Sequence, residues 1–186
     1  MNFNKHYALE GKHAFLGASQ YHWINYDEDK LITSYTNYKA KERGTELHKF
    51  AYDAIRLQVP LDYVEHTLNK YVNDAIYYGM TPEVVLYFSE NCFGTADAVY
   101  FDGKLLRIHD LKTGKTPASF NQLLVYSALF CLEYDVNPIE IEIELRIYQL
   151  DEVLKLIPDP NDILVIMDKI IVFDRIIKDM RQEGRF

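Results

Sequence analysis

Residues 92–112, CFGTADAVYFDGKLLRIHDLK, contain two runs rich in β-branched and aromatic side chains, 92–101 and 104–112, separated by Asp102-Gly103. Asp-Gly between such runs is the strongest short-range signal for a β-hairpin. A two-residue turn there pairs Phe101 with Lys104 and sets Asp97 opposite Ile108. Side chains on one sheet face recur every second residue. Asp110 is then the diagonal neighbour of Asp97, about 7–8 Å away along the backbone, and Lys112 shares their face. His109 falls on the other face and is excluded from any site built around them. A bulge near Gly94 would shift this register.

The flanking sequence supplies the other elements. Residues 83–90 (EVVLYFSE) read as a strand before the hairpin. Residues 39–57 place Leu47, Phe50, Ala51, Ala54 and Ile55 at helical spacing, with Pro60 as the stop. Residues 61–79 repeat that pattern through Val64, Leu68, Tyr71, Val72 and Ala75, with Gly79 as the C-cap. Residues 119–136 predict an amphipathic helix. Residues 139–149 (IEIEIELRIYQ) alternate strictly and predict a strand with one wet face, its ridge Glu140-Glu142-Glu144 a solvated face in preference to a subunit contact. Pro158 and Pro160 punctuate the chain before a last helix over 161–182. Residues 13–38 read as turns and short helices capping the core. The order α, α, β, β, β, α, β, α gives an α/β or α+β domain around a mixed sheet. Residues 1–186 are expected to form one domain: a cap segment over 1–38, a core over 39–150 and a C-terminal helix over 151–186.

Composition narrows the function classes. The chain has 186 residues, 48% of them hydrophobic, with 15 Tyr. This suits a soluble domain with half-buried aromatic surfaces. Its apolar runs are short and interrupted by charge, so no membrane span is expected. Met1-Asn2-Phe3-Asn4-Lys5 lacks an apolar signal region, which predicts a cytoplasmic protein. Two cysteines, Cys92 and Cys131, are too few for a disulfide framework or a four-thiolate cluster and read as buried thiols. The net charge of −8 argues against nucleic acid as a partner, but it is unevenly distributed. From Glu133 to Asp162 nine acids face two bases, whereas Lys104–Lys115 has four bases and one acid. Only charge within a Debye length of about 8–10 Å governs contact with a phosphate.

Asp97, Asp110 and Lys112 on one face suggest a chemistry. Two converging carboxylates repel, and a hard divalent cation relieves the repulsion; oxygen ligands suit Mg²⁺ or Mn²⁺. Such an ion polarises a phosphoryl oxygen and lowers the pKa of bound water. A neighbouring lysine adds positive charge where negative charge develops. The arrangement suits phosphodiester hydrolysis, although an Asp–Lys pair alone is most often a solvated strand surface.

The surrounding motifs are more specific. Gly94-Thr95-Ala96-Asp97-Ala98-Val99, followed by Ile108-His109-Asp110-Leu111-Lys112-Thr113-Gly114-Lys115, resembles the second and third motifs of the PD-(D/E)xK nuclease superfamily in its RecB-like exonuclease branch. Gln122-Leu123-Leu124-Val125-Tyr126 resembles that branch's Q-x-x-x-Y motif, and Gly44-Thr45-Glu46-Leu47-His48 its G-x-x-x-H helix. The four motifs stand in the family's order across residues 44–126. Ser19-Gln20-Tyr21-His22-Trp23 is similar to the Ser-containing N-terminal motif of phage-borne members.

The resemblance implies a restriction-endonuclease-like αβββαβ core. It implies a metal site of His48, Asp97, Asp110 and the Leu111 backbone carbonyl, with Asp97, Asp110 and Lys112 as catalytic residues. It assigns contact with DNA or with the Lys112 region to Gln122 and Tyr126, which share a helical face at i and i+4, and makes Lys115 and Ser19 further candidates for substrate contact. With Asp at position 110, where Glu is also common, activity is still expected. Lacking four cysteines, the chain resembles the compact members without an iron–sulfur cluster. It is therefore expected to be a Mg²⁺- or Mn²⁺-dependent DNA exonuclease of phage or mobile-element recombination. Its expected partners are DNA, further copies in a ring, or a separate recombination or helicase protein. The alternatives are a non-catalytic nucleic-acid-binding or assembly module on the same fold, and a structure- or site-specific endonuclease. Thr113-Gly114-Lys115 lacks the spacing of a nucleotide-binding P-loop.

Overall fold

The sheet is built around the hairpin read from the sequence, in the order β1-β2-β3-β4-β5. Its strands are β1 (Thr81–Ser89), β2 (Cys92–Phe101), β3 (Leu105–Leu111), β4 (Glu142–Gln149) and β5 (Glu152–Leu156). All neighbours pair antiparallel except β3 and β4, which run parallel. The crossover between those two carries helix α3 (Asn121–Glu133), as a parallel pair requires. The remaining helices are α1 (Glu28–Arg56), α2 (Thr67–Tyr77) and α4 (Pro160–Gln182). The fold is thus mixed α/β, a five-stranded mixed sheet flanked by helices. The computed structural model describes residues 5–184; Met1–Asn4, part of the stretch read as lacking a signal region, lie outside them. No described helix is long and apolar enough to cross a membrane. The described chain divides between Thr45 and Glu46 into two compact units.

Two cores lie on the two faces of the sheet. On one face Leu106 and Ile108 of β3 and Ile143, Leu145 and Ile147 of β4 pack with Leu123 and Leu129 of α3 and Ile163 and Ile170 of α4. On the other, Leu111 and Tyr148 pack with Tyr71, Val72 and Ala75 of α2 and with Ala51, Ala54 and Ile55 of α1. Strand β3 alternates between them, so both faces of the central strands are buried.

Several boundaries differ from the sequence reading, each for a local reason. Helix α1 starts at Glu28, so residues 28–38 are helical and only the segment before them contains short 3₁₀ turns. It ends before Pro60. Gln58 adopts a φ of 55°, while its amide bonds the Ile55 carbonyl and the Val59 amide that of Ala54. That is a Schellman closure with glutamine in the place glycine usually takes. Helix α2 closes the same way, with Gly79 at φ 63° as expected. It starts at Thr67 rather than residue 61, because the Asp151 carboxylate accepts both the Thr67 amide and hydroxyl, at 2.8 and 3.0 Å.

Strand β5 was absent from the sequence reading. The turn before it is Leu150-Asp151, both with positive φ, and it pairs Gln149 with Glu152. Tight hairpin turns favour glycine and asparagine, so Leu-Asp gives little warning. Pro160 opens α4 behind an Asp159 N-cap. Strand β4 has no wet face of the kind expected. Glu140 and Glu142 are exposed, but Glu144 is buried because Arg107, Arg146 and the residues after α2 cover that side.

The hairpin register also differs. Phe101 pairs with Leu106, not Lys104. The Asp102 carboxylate accepts the Lys104 and Leu105 amides, each at 2.9 Å, and this side-chain turn lengthens the loop. The shift is by two residues, which preserves which side chains share a face.

Candidate metal and phosphodiester site

Pairing of β2 with β3 runs from Phe101↔Leu106 to Ala98↔His109 and stops there. Beyond it the next main-chain donor of β3, the Leu111 amide, is taken by the Asp97 carboxylate at 2.8 Å. Asp97 therefore stands where the backbone ladder ends. The same oxygen lies 3.5 Å from Nδ1 of His48, which is carried by α1. That contact raises the pKa of His48 above the ordinary histidine value, against the opposing effect of burial. One step past the last pair, continuing the register sets Asp110 across from Asp97 rather than diagonal to it.

Asp110 is 2% exposed. One of its oxygens, Oδ1, receives the Lys112 ammonium at 2.9 Å. The other, Oδ2, is buried with no hydrogen-bond partner among the described residues. Burial, and then the Asp97 charge, push the Asp110 carboxyl above its usual range, with Lys112 and His48 opposing. A buried carboxylate oxygen without a partner costs free energy, and a cation removes that cost.

Lys112 is fixed from a second direction. Its Nζ donates to Oε1 of Gln122 at 2.8 Å; Nε2 of Gln122 donates to the Tyr126 hydroxyl at 2.9 Å; and that hydroxyl donates to the Thr95 carbonyl at 2.6 Å. The chain of bonds joins β3 to α3 and back to β2. It places the Gln122 and Tyr126 side chains one turn apart on α3, as their spacing predicts. Gly94 belongs to the same arrangement. A Cβ there would lie 2.9 Å from the Tyr126 ring, so only glycine lets the ring approach.

The structure adds a residue the sequence reading did not single out. Among the described residues, His48, Glu83 and Asp97 offer ligand atoms that all lie within 4.8 Å of one another. Glu83 sits in β1 with a φ of 52°. A left-handed glutamate inside a strand has no sequence signature, and nothing around Glu83 in the chain resembles a site motif. Burial and the Asp97 charge raise its carboxyl above the usual range. Asp110 does not join that set of mutually close atoms; it enters through its unpartnered Oδ2.

The remaining expected residues fall as follows. Leu111 is at the end of β3, its side chain in the α2-side core and its amide on Asp97. Lys115 is exposed in the β3–α3 loop. The buried Gln149 holds that loop, donating to the Gly114 and Thr116 carbonyls at 2.7 and 2.8 Å and accepting the Ala118 amide at 3.1 Å. A cleft of about 280 Å³ beside it is lined by Leu47, Leu68, Lys112, Thr113 and Gly114. Ser19 belongs to the N-terminal unit, in a 3₁₀ segment (Ala18–Asn25) that lines a pocket with Phe15, His22 and Trp23. His109 lies on the opposite face, as its parity predicts, and Glu46 is exposed.

The donor set suits a divalent ion: one imidazole and carboxylates, one of them holding a buried oxygen without a partner. Comparison of the chain with protein-family models, with curated proteins and with solved structures gives no match.

Proposed function

We propose that this chain is a divalent-metal-dependent DNA exonuclease. The observation that carries the reading is Oδ2 of Asp110, buried and unpartnered beside Asp97, while Oδ1 of the same carboxylate holds Lys112. His48 Nδ1, Asp97 and Asp110 would hold Mg²⁺ or Mn²⁺, with the Leu111 carbonyl contributing as the resemblance implies. The bound ion supplies Lewis acidity toward a phosphoryl oxygen and a lowered pKa for water.

The chain's own residues do the rest. Asp110 and Gln122 hold the Lys112 ammonium between them, so its third proton is free to meet a phosphate oxygen. Charge developing there is met by a donor already in position, and little reorganisation is needed at the moment of reaction. Tyr126, anchored on Thr95, keeps Gln122 from following the substrate. The cleft beside Thr113 and Gly114, lined also by Asp151, gives a strand end room to lie against Lys112, and Lys115 is exposed in the same loop. We place this activity in recombination or processing of phage or mobile-element DNA, on the resemblance of the four motifs.

The test is digestion of linear and closed circular duplex DNA with Mn²⁺ or Mg²⁺. Linear DNA is consumed from its ends and the circle spared. Lys112→Ala loses about 10²–10³-fold in rate while circular dichroism shows it still folded. Cleavage that persists in EDTA, or full activity in Lys112→Ala, overturns the proposal; cutting of the circle makes the enzyme an endonuclease.

A further inference from the structure

Glu83 is the feature the proposed site leaves unused. It is the third residue of β1 and has a left-handed φ of 52°, a conformation L residues rarely adopt. Pro82 pairs with Ala98 and Val84 with Ala96, but Glu83 and Asp97 between them do not pair. The break in the ladder turns both carboxylates toward His48. Among the described residues Glu83 has no hydrogen-bond or ion-pair partner; its neighbours of opposite or like charge are His48 and Asp97.

We infer that Glu83 is a fourth side-chain ligand of the same divalent ion, completing a set with His48, Asp97 and Asp110. The inference rests on the metal site proposed above and extends it. Two protein ligands at about 2.0–2.2 Å from a shared ion stand no more than about 4.4 Å apart. Ligand atoms of His48, Glu83 and Asp97 lie within 4.8 Å of one another without the ion, so a few tenths of an ångström close the set. The second, independent sign is Asp110, 2% exposed, with an oxygen that has no partner and with the charges of Asp97 and His48 acting on it.

Charge decides how many ions the set takes. Asp97, Asp110 and Glu83 carry three negative charges when ionised; one divalent ion and the Lys112 ammonium carry three positive ones. A single ion thus neutralises the site, with His48 as a neutral ligand. Without Glu83 the same ion and Lys112 would leave an excess positive charge. An imidazole among carboxylates favours Mn²⁺ over Mg²⁺, which prefers oxygen alone.

The experiment is calorimetric titration of Mn²⁺ into the full chain, its Glu83→Gln variant and a Glu90→Gln control at the exposed β1–β2 turn, with melting curves of each in EDTA. The wild type and the control bind one Mn²⁺ with equal affinity. Glu83→Gln binds at least about tenfold more weakly, the loss typical of even an indirect metal-supporting residue. In EDTA the variant melts no lower than the wild type, because a repelling charge has been removed. Undiminished Mn²⁺ affinity in Glu83→Gln overturns this inference and leaves the proposed nuclease standing. A lower melting temperature in EDTA assigns Glu83 a structural role and also overturns it. A wild type that binds no Mn²⁺ overturns the inference and the metal-dependent function together.

Discussion

Strand β3 feeds two clusters of charged residues, one on each face of the sheet, and they differ in what they lack. On the α2 side Arg107, Arg146 and Lys155 surround Glu144. Arg107 Nε and Arg146 Nε donate to Oε1 of Glu144 at 2.6 and 3.0 Å, and Lys155 pairs with Oε2. Arg146 also reaches Asp74 and the Tyr78 hydroxyl, while both guanidinium groups lie over the Tyr78 ring. The Tyr148 hydroxyl donates its only proton to Asp74 at 2.6 Å. His109 Nδ1 must then donate to Tyr148 at 3.2 Å, leaving a neutral imidazole whose buried Nε2 has no partner among the described residues. Burial, with Arg146 and Arg107 nearby, holds His109 well below its usual range.

The α3-side cluster has the reverse balance. Carboxylates outnumber lysine, and the atom without a partner is a carboxylate oxygen. Direction of pKa shift separates the two. Glu144 is brought down to about 2 by Lys155, Arg107 and Arg146 despite its burial, whereas Asp110 is raised by burial and by Asp97. In one cluster Glu144 is paired by charges of the protein itself. The other leaves a buried carboxylate oxygen with no hydrogen-bond partner among the described residues.

The largest expected effect falls on the completed cluster. Glu144→Ala leaves the half-buried Arg107 and Arg146 without their shared carboxylate, a change expected at the low end of the about 3–5 kcal/mol for breaking a buried pair; urea denaturation measures it. Acid titration of stability gives the sign. Glu144 falls from 4.5 in the unfolded chain to about 2 in the fold. Its contribution is therefore present above pH 4.5 and lost as pH drops through about 2, and the variant lacks that limb. Should the variant melt like the wild type, the contrast between the clusters collapses.

Asp110→Asn is expected to behave oppositely. A carboxyl raised by folding stabilises the protein only while protonated, and that contribution is lost as pH rises through the folded value. The variant is thus no less stable than the wild type in EDTA at neutral pH. Mn²⁺ at a hundredfold over its dissociation constant stabilises the wild type by about 2.7 kcal/mol, and Asp110→Asn loses that gain. A Mn²⁺-dependent rise in its melting temperature equal to the wild type's would remove Asp110 from the site.

The smallest change is Gly94→Ala. Its Cβ meets the Tyr126 ring at 2.9 Å, and displacing the ring loosens Gln122 from Lys112. We expect the rate of DNA digestion to fall about tenfold, or about 1.4 kcal/mol, with Mn²⁺ affinity unchanged. If Mn²⁺ affinity falls instead, the Tyr126–Gln122 relay supports the ion rather than the lysine.

Much of this arrangement was legible in the chain. Alternation and the Asp102-Gly103 turn located β2 and β3, and parity put Asp97 with Asp110 and His109 away from them. Gln122 and Tyr126 were placed by helical spacing. What escaped were features fixed by side chain–backbone bonds or by unusual dihedrals. Asp102 lengthened the hairpin by capturing two amides, Leu150-Asp151 made a tight turn without glycine, and Glu83 turned inward through a left-handed φ. The strict alternation around Glu144 was read correctly as a strand and wrongly as wet, since partners distant in sequence, Arg107 and Tyr78 among them, decide what covers it.

The seven residues of β3 assign successive side chains to opposite tasks, and this has a consequence for how the segment tolerates change. A one-residue deletion before His109 would exchange the two faces: Asp110 would face Tyr148 and the arginines, and a neutral histidine would face Asp97. Both clusters would fail at once, and no single compensating substitution would repair both. Loop 112–120 carries no such double commitment. Insertions and deletions should therefore be sharply less tolerated in β3 than a few residues later, and a deletion scan across 104–120 would trace that boundary.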